Sequence, residues 1–214
     1  MGKHEIKIVP SVLSANFGRL QEDVDKVANA DLIQIDVMDG HFVKNISFGT
    51  VVMKDIRTKL KLDAHLMIEN PELYIKDFAD AGADIITFHV EAAKDPMKVI
   101  GQIKALGKKA GMAINPETPA SSVFEYLPHL EQVIVMTVNP GWGGQKFIVE
   151  CLDKVKEIRA RWDGDIEVDG GVNDKTIADC ARAGANLFVA GSFVFKSNDP
   201  AGQVELLRKK ASHK

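Results

Sequence analysis

The sequence predicts an α/β protein built as a single (β/α)8 TIM barrel, on three observations. Short apolar runs rich in β-branched residues recur eight times along the chain. Amphipathic stretches separate them. The length of 214 residues suits one well-buried core and lies near the lower size of this barrel. An open doubly wound sheet is the alternative that the same alternation permits. Residues 1–214 are read as one domain, because no linker or low-complexity segment interrupts the pattern.

The predicted strands are, in order, Ile6–Val9, Leu32–Val37, Leu62–Met67, Ile85–His89, Ala110–Ile114, Gln132–Val138, Ile166–Asp169 and Leu187–Ala190. Each is followed by a helix candidate. After the first strand, Phe17, Leu20, Val24, Val27 and Ala28 fall on one helical face. Asn70-Pro71 reads as an N-cap and first-turn proline, with Gly82 closing that helix. Asn173 and Gly184 frame a later helix in the same way. The junctions Ala81–Asp84 and Ala183–Asn186 echo each other and hint at a repeated βα unit. The tail after Leu207 reads as solvated and frayed.

Composition narrows the function. Basic and acidic residues number 27 and 30, a net charge of -3, and the basic ones are scattered. That pattern excludes a nucleic-acid footprint. No stretch approaches the roughly 18 apolar residues of a membrane span. Met1 to Lys7 is polar and does not read as a secretory signal. Cys151 and Cys180 lie in predicted helices without a CxxC partner, as buried free thiols of a reducing compartment would. A cytoplasmic location is expected.

The strands carry the chemistry. Their side chains alternate between two faces, and in a small barrel both faces should be apolar. Here one phase is polar: Gln34, Asp36 and Met38 on strand two; Asp63, His65 and Met67 on strand three; Thr87, His89 and Glu91 on strand four; Glu167 and Asp169 on strand seven. A buried ionised carboxylate costs several kcal/mol, to order of magnitude. Several such residues converging on the C-terminal rim mark a functional centre. Two carboxylates and a histidine facing one cavity suit a divalent cation, an acid/base pair, or both. Glycine turns follow the late strands, at Gly141-Trp142-Gly143-Gly144-Gln145, Gly170-Gly171 and Gly191-Ser192. There the backbone N–H groups can reach a phosphate, and the last two loops are this barrel's usual phosphate site. Met38, Met67 and Met136 lie where a soft apolar lining would exclude water from a reactive carbanion. Other polar features take a plain structural reading: His4 and His213 as terminal residues, His129 in a connection, Trp162 in helix packing, Asn115-Pro116 as a rim turn.

At these residues the chain resembles the ribulose-phosphate 3-epimerase family. The matching segments are PSVLSANF (Pro10–Phe17), IDVMDGHFVKN (Ile35–Asn45), DAHLM (Asp63–Met67), FHVEA (Phe88–Ala92), MTVNPGWGGQKF (Met136–Phe147), EVDGG (Glu167–Gly171) and AGSFVF (Ala190–Phe195). The resemblance implies a barrel of the ribulose-phosphate-binding type and epimerisation at C3 of a 2-ketose phosphate, most simply ribulose 5-phosphate to xylulose 5-phosphate. It implies Asp36 and Asp169 as the two acid/base groups, and a divalent metal on Asp36, His65 and Asp169 that stabilises an enediolate. Ser11 and the three methionines would lie beside the substrate. Gly141, Trp142, Gly143, Gly144, Gly170, Gly171, Gly191 and Ser192 would hold its phosphate. A homo-oligomer is also implied.

The chain departs from the family pattern at three positions. Gln34 stands where the family carries a metal-ligating histidine. Its harder oxygen would favour Mn2+ or Mg2+, with Zn2+, Fe2+ or Co2+ still compatible; loss of the metal is the other reading. Lys44 stands where many members have proline and Trp142 where many have phenylalanine. These two leave a hexulose 6-phosphate such as allulose 6-phosphate open as substrate. A non-catalytic sugar-phosphate binder would need neither aspartate.

Overall fold

The computed structural model describes residues 4–212. The strands are β1 (Lys7–Val9), β2 (Leu32–Met38), β3 (Lys61–Met67), β4 (Ile85–His89), β5 (Lys109–Ile114), β6 (Gln132–Met136), β7 (Asp165–Asp169) and β8 (Leu187–Val189). All pair in parallel, in the order β1-β8-β7-β6-β5-β4-β3-β2. The remaining gap is nearly closed by Asp31 N–H donating to Ile8 O (3.1 Å) and Gln34 N–H donating to Pro10 O (3.0 Å). The ring excludes the open-sheet alternative.

The α-helices are α1 (Leu20–Asp25), α2 (Thr50–Met53), α3 (Ile75–Asp80), α4 (Pro96–Ala105), α5 (Cys151–Arg159), α6 (Ile177–Ala183), α7 (Ser192–Phe195) and α8 (Pro200–Ser212). The expectation of a helix after every strand fails once. Between β5 and β6 the described chain makes two 3-10 turns, Ala120–Val123 and Leu127–His129. Pro116, Pro119 and Pro128 withhold the N–H groups that a continuous α-helix there would need. Two smaller expectations also change. Phe17 is exposed and stacks edge-on against Phe48, and Ala28 is exposed, so the buried face of α1 rests on Val24 and the Val27 that follows it. The tail does not fray at Leu207: α8 runs to Ser212, with Val204, Leu207 and Ala211 buried along one face. His213 lies outside the described residues.

Caps follow the local chemistry. Asn173 Oδ1 accepts from Lys175 and Thr176 N–H ahead of α6, and Gly184 closes that helix at φ 116°. Asn70 precedes the Pro71 turn in the left-handed region and makes no side-chain cap. Cys151 and Cys180 are buried and free. Among the described residues, no helix is long and apolar enough to cross a membrane.

One core lies between strands and helices, around Ile33, Ile35, Ile86, Phe88 and Phe188. The barrel interior is layered. Val9, Leu32, Ile85, Leu187 and Val189 form one apolar cluster in it. A polar group is buried there too: Asp63 accepts from Thr87 Oγ1 (3.0 Å) and from Gln132 Nε2, and Gln132 Nε2 also reaches Thr87 (3.0 Å). Gly111 is required in this layer, because a Cβ there would stand 2.2 Å from Thr87 Oγ1. Glu167 is fully buried with both carboxyl oxygens unpartnered. Burial, aided by the charges of Asp63 and Asp169, pushes its pKa well above the usual value. Burial likewise raises Asp63 to about 6.

These raised values set a pH dependence. A carboxyl that binds its proton more tightly in the folded state stabilises fully below its unfolded pKa, and that stability is lost as pH rises through the folded one. For Asp63 the window opens at 3.8 and extends to about 6; for Glu167 it opens at 4.5 and reaches higher. Glu167→Gln in metal-free protein should therefore gain melting temperature over the parent as pH rises from 5 to 8. Each pKa unit removed is worth about 1.4 kcal/mol, or roughly 3–6 °C in a chain of this size. A difference that stays constant across that range would show that Glu167 does not carry the penalty.

Candidate active site

The site grows out of the strand pleat. Residues of one phase point into the barrel, and the parallel register sets Asp36 of β2 directly beside His65 of β3. Asp169 ends β7 on the other side of the interior. Ligand atoms of Asp36, His65 and Asp169 all lie within 4.8 Å of one another.

His65 Nδ1 is 2.9 Å from Asp36 Oδ1 and 3.5 Å from Asp169 Oδ2. Burial alone would lower the His65 pKa; the hydrogen bonds to Asp169 and Asp36 overcome it and raise the value to about 10. For Asp169, burial raises the pKa and the Asp36 charge adds to that, against hydrogen bonds from His65 and Gln34. Ser11 Oγ donates to Asp36 Oδ2. Gln34 Nε2 donates to both Asp36 Oδ1 and Asp169 Oδ2, each at 2.8 Å.

Gln34 thus presents its amide nitrogen, not the expected oxygen, to the carboxylates. Facing two carboxylates, the N–H side of the amide is the stable orientation. Its Oε1 is buried without a partner. Turning the amide would aim that oxygen at the carboxylates, which a cation between them would make favourable. The orphaned oxygen and the N/O/O donor set therefore fit a divalent cation, with coordination positions left open.

Above the site lies a cleft at the C-terminal rim. Ser11, Asp36, Met38, Met67, Met136, Gly141, Trp142, Gly143, Gly144, Asp169, Gly170, Gly171, Gly191 and Ser192 all line it. Gln34 and His65 lie beneath, fully buried. Gly171 needs its positive φ of 68° and its missing side chain, because a Cβ would stand 2.9 Å from Phe147 N. Gly191 sits at the start of α7, where a Cβ would meet Ser14 Oγ at 2.7 Å. Lys44 and Trp142 are exposed, Trp142 on the rim.

Residue-by-residue reading overlooked several supports. Ser14 lines the cleft. Asn45 Nδ2 donates to Gly141 O (2.7 Å), and Gln145 Nε2 donates to Asn139 O (2.6 Å) and Trp142 O (2.8 Å), pinning the glycine loop. All three lie inside the quoted motifs, which was the available signal. Gln132 was legible as well, since it shares the inward phase of Met136.

Comparison with known proteins agrees with this geometry. The Ribulose-phosphate 3 epimerase family profile matches residues 7–195. The ribulose-phosphate 3-epimerase of Bacillus subtilis (strain 168) is 46% identical over 213 residues, covering 95% of this chain and 98% of that protein. That of Mycobacterium leprae (strain TN) is 42% identical over 211 residues, covering 95% and 94%. Among solved structures, KGPDC from Streptococcus mutans has a TM-score of 0.76 at 17% identity, covering 97% of this chain and 98% of that one. The 3-hexulose-6-phosphate synthase of Salmonella typhimurium has a TM-score of 0.72 at 20% identity, covering 96% and 98%. At such identities the two structures share the barrel.

The electrostatics of the three central residues can be read directly. In chelator-treated protein, nitrogen NMR should find His65 doubly protonated at pH 8, because its pKa lies near 10. Asp169→Asn removes one supporting charge and should bring the value down. A His65 that titrates near 6.5 would mean that the two carboxylates do not act on it together.

Proposed function

The chain belongs to the ribulose-phosphate 3-epimerase family, an isomerase interconverting ribulose 5-phosphate and xylulose 5-phosphate, and we propose that Asp36 and Asp169 carry its reaction as a two-base proton transfer. The observation that carries this reading is the approach of two carboxylates from β2 and β7 to one cleft, close enough to share the Gln34 amide. Inversion at a carbon needs one proton-transfer group on each face. One carboxylate takes the C3 proton, and the electron pair moves into the C2 carbonyl to give an enediolate. The other carboxyl returns a proton to the opposite face. Asp169, raised by burial, is set to hold a proton when the reaction begins in one direction; in the reverse direction the proton starts on Asp36. A divalent cation held by Asp36, His65 and Asp169 would supply Lewis-acid polarisation at the C2 oxygen.

Met38, Met67 and Met136, all buried, cap the reacting carbon and keep water from it. Ser11 holds Asp36 in place through its hydrogen bond. The backbone of Gly141, Gly143, Gly144, Gly170, Gly171, Gly191 and Ser192 holds the phosphate, with Trp142 on the rim. No arginine occurs in those turns, so phosphate affinity comes from N–H groups. The relatives at 42–46% identity, named ribulose-phosphate 3-epimerase, support the pentulose.

Two further readings accompany this. We propose a homo-oligomer: Ile46, Phe48 and Tyr74 line one outer groove, with Ile46 75% and Tyr74 45% exposed, an apolar surface suited to a second copy. We also place the enzyme in the cytoplasm. The free thiols of Cys151 and Cys180 support that, as does a rice relative, 43% identical, called the cytoplasmic isoform.

Asp36→Asn and Asp169→Asn should each cut epimerisation of ribulose 5-phosphate by at least the roughly 100- to 10,000-fold of a lost general acid–base group. Circular dichroism should report an intact barrel. In the same assay, unphosphorylated ribulose should turn over very poorly, since remote binding energy is absent. Retention of more than about a tenth of the parent rate by either variant lies far outside that range and would refute the two-base assignment.

The metal preference follows from Gln34. Its neutral oxygen is a poorer donor to Zn2+ than imidazole and an acceptable one to Mn2+ or Mg2+. Chelation should abolish activity, and Mn2+ or Mg2+ should restore it better than Zn2+, Fe2+ or Co2+. Gln34→His should tighten Zn2+ binding, measured by calorimetry. Full activity in protein shown by elemental analysis to be metal-free would overturn the cation.

A further inference from the structure

The polar phase of β4 takes no part in the reaction described above, yet it touches the site. His89 is fully buried and meets His65 edge to edge, ring centroids 5.1 Å apart and planes 20° apart. His65 Nε2 and His89 Nε2 are 2.9 Å apart. On its far edge, His89 Nδ1 lies 3.3 Å from Glu91 Oε2. The other Glu91 oxygen accepts from Asn115 N–H (2.8 Å) and from Thr118 Oγ1, in the turn that follows β5. Lys154 Nζ ties down that same turn by donating to Asn115 O (2.8 Å) and Pro116 O (2.6 Å).

The directions of these bonds are determined by chemistry. An ionised carboxylate only accepts, so His89 Nδ1 carries the hydrogen that faces Glu91. The hydrogen between the two imidazoles then belongs to one Nε2 or the other. A cation on His65 Nδ1 displaces the hydrogen there, and a neutral imidazole must keep its hydrogen on Nε2. His89 Nε2 is then the acceptor, and His89 is neutral. The apolar ring of Phe42 packs beside it, centroids 4.8 Å apart.

We propose that Glu91 and His89 are positioning residues of the active site: they run one line of hydrogen bonds from the turn after β5 to His65 and hold its Nδ1 toward Asp36 and Asp169 as the single nitrogen it offers a cation. The proposal rests on the cation reading of Asp36, His65 and Asp169 and goes beyond it. Reversal of His89 would set two N–H groups against each other or leave His65 with its hydrogen on the ligand nitrogen. Glu91 therefore acts on the site from the half-buried rim, through two rings.

The test is nitrogen NMR on protein labelled at its six histidines, metal-free and then with Zn2+, with His89→Gln used for assignment. His89 should be the neutral Nδ1–H tautomer in both states, and His65 should keep its Nε2–H when Zn2+ binds. In Glu91→Ala, His89 should become a mixture of tautomers, and Zn2+ affinity by calorimetry should fall roughly 10- to 100-fold. Glu91→Gln keeps an acceptor oxygen and should restore most of both. A purely structural Glu91 would change melting temperature without changing the His89 tautomer. An Nε2–H tautomer of His89 in the parent protein overturns the proposal. So does a Glu91→Ala variant whose tautomer and Zn2+ affinity match the parent's. The tautomer in parent protein decides the matter by itself should Glu91→Ala not fold. Absence of Zn2+ binding by the parent would sink the cation reading alone, and the metal-free His89 tautomer would still decide the hydrogen-bond line.

Discussion

Two carboxylates sharing one buried cavity is the constraint on which this structure turns. Removing an ion from water costs several kcal/mol even after relaxation, to order of magnitude, and a second like charge nearby adds to it. Asp36 and Asp169 are tolerable only because positive density is gathered between them. His65 supplies an imidazolium, Gln34 its amide N–H groups and Ser11 a hydroxyl hydrogen. The same crowding that makes the pair costly is what lets it bind a cation and pass a proton. Stability and chemistry here are two readings of one electrostatic arrangement.

The barrel makes this arrangement possible by layering its interior. An apolar cluster takes in Val9, Leu32 and Ile85. A second set of carboxyls, Asp63 and Glu167, lies one pleat below the catalytic pair on β3 and β7, and burial favours their neutral forms. Exclusion of water from that layer strengthens every interaction above it. At the rim the demand reverses. There the chain must bring bare backbone to an anion, and glycines at 141, 143, 144, 170, 171 and 191 meet it. Rigid strands hold the reacting groups, and loops pinned by Asn45 and Gln145 hold the phosphate end.

Much of this was legible in the chain. All eight strands stand where period-two alternation and β-branched runs place them, because both signals are local. The inward phase could be read the same way, so Asp36, His65 and Asp169 stood among the inward polar residues on pleat geometry alone, and the family likeness singled them out. The missing helix between β5 and β6 was misjudged because an amphipathic count weighs side chains and overlooks backbone donors that three prolines remove. The tail was misjudged for the opposite reason: its polar composition hid Leu207 and Ala211, one helical turn apart on a buried face.

What the sequence by itself determined is the eight-fold alternation, the set of polar residues turned inward and the glycine turns on the last loops. Each follows from the stereochemistry of a few neighbouring residues. What only the tertiary structure decided is how those residues meet. The distance from Asp36 to His65, the nitrogen rather than the oxygen of Gln34 facing two anions, and the meeting of His89 with His65 all depend on strands far apart in the chain. The reason is that a hydrogen bond is set to a few tenths of an ångström by barrel closure and register, and neither is a property of any one segment.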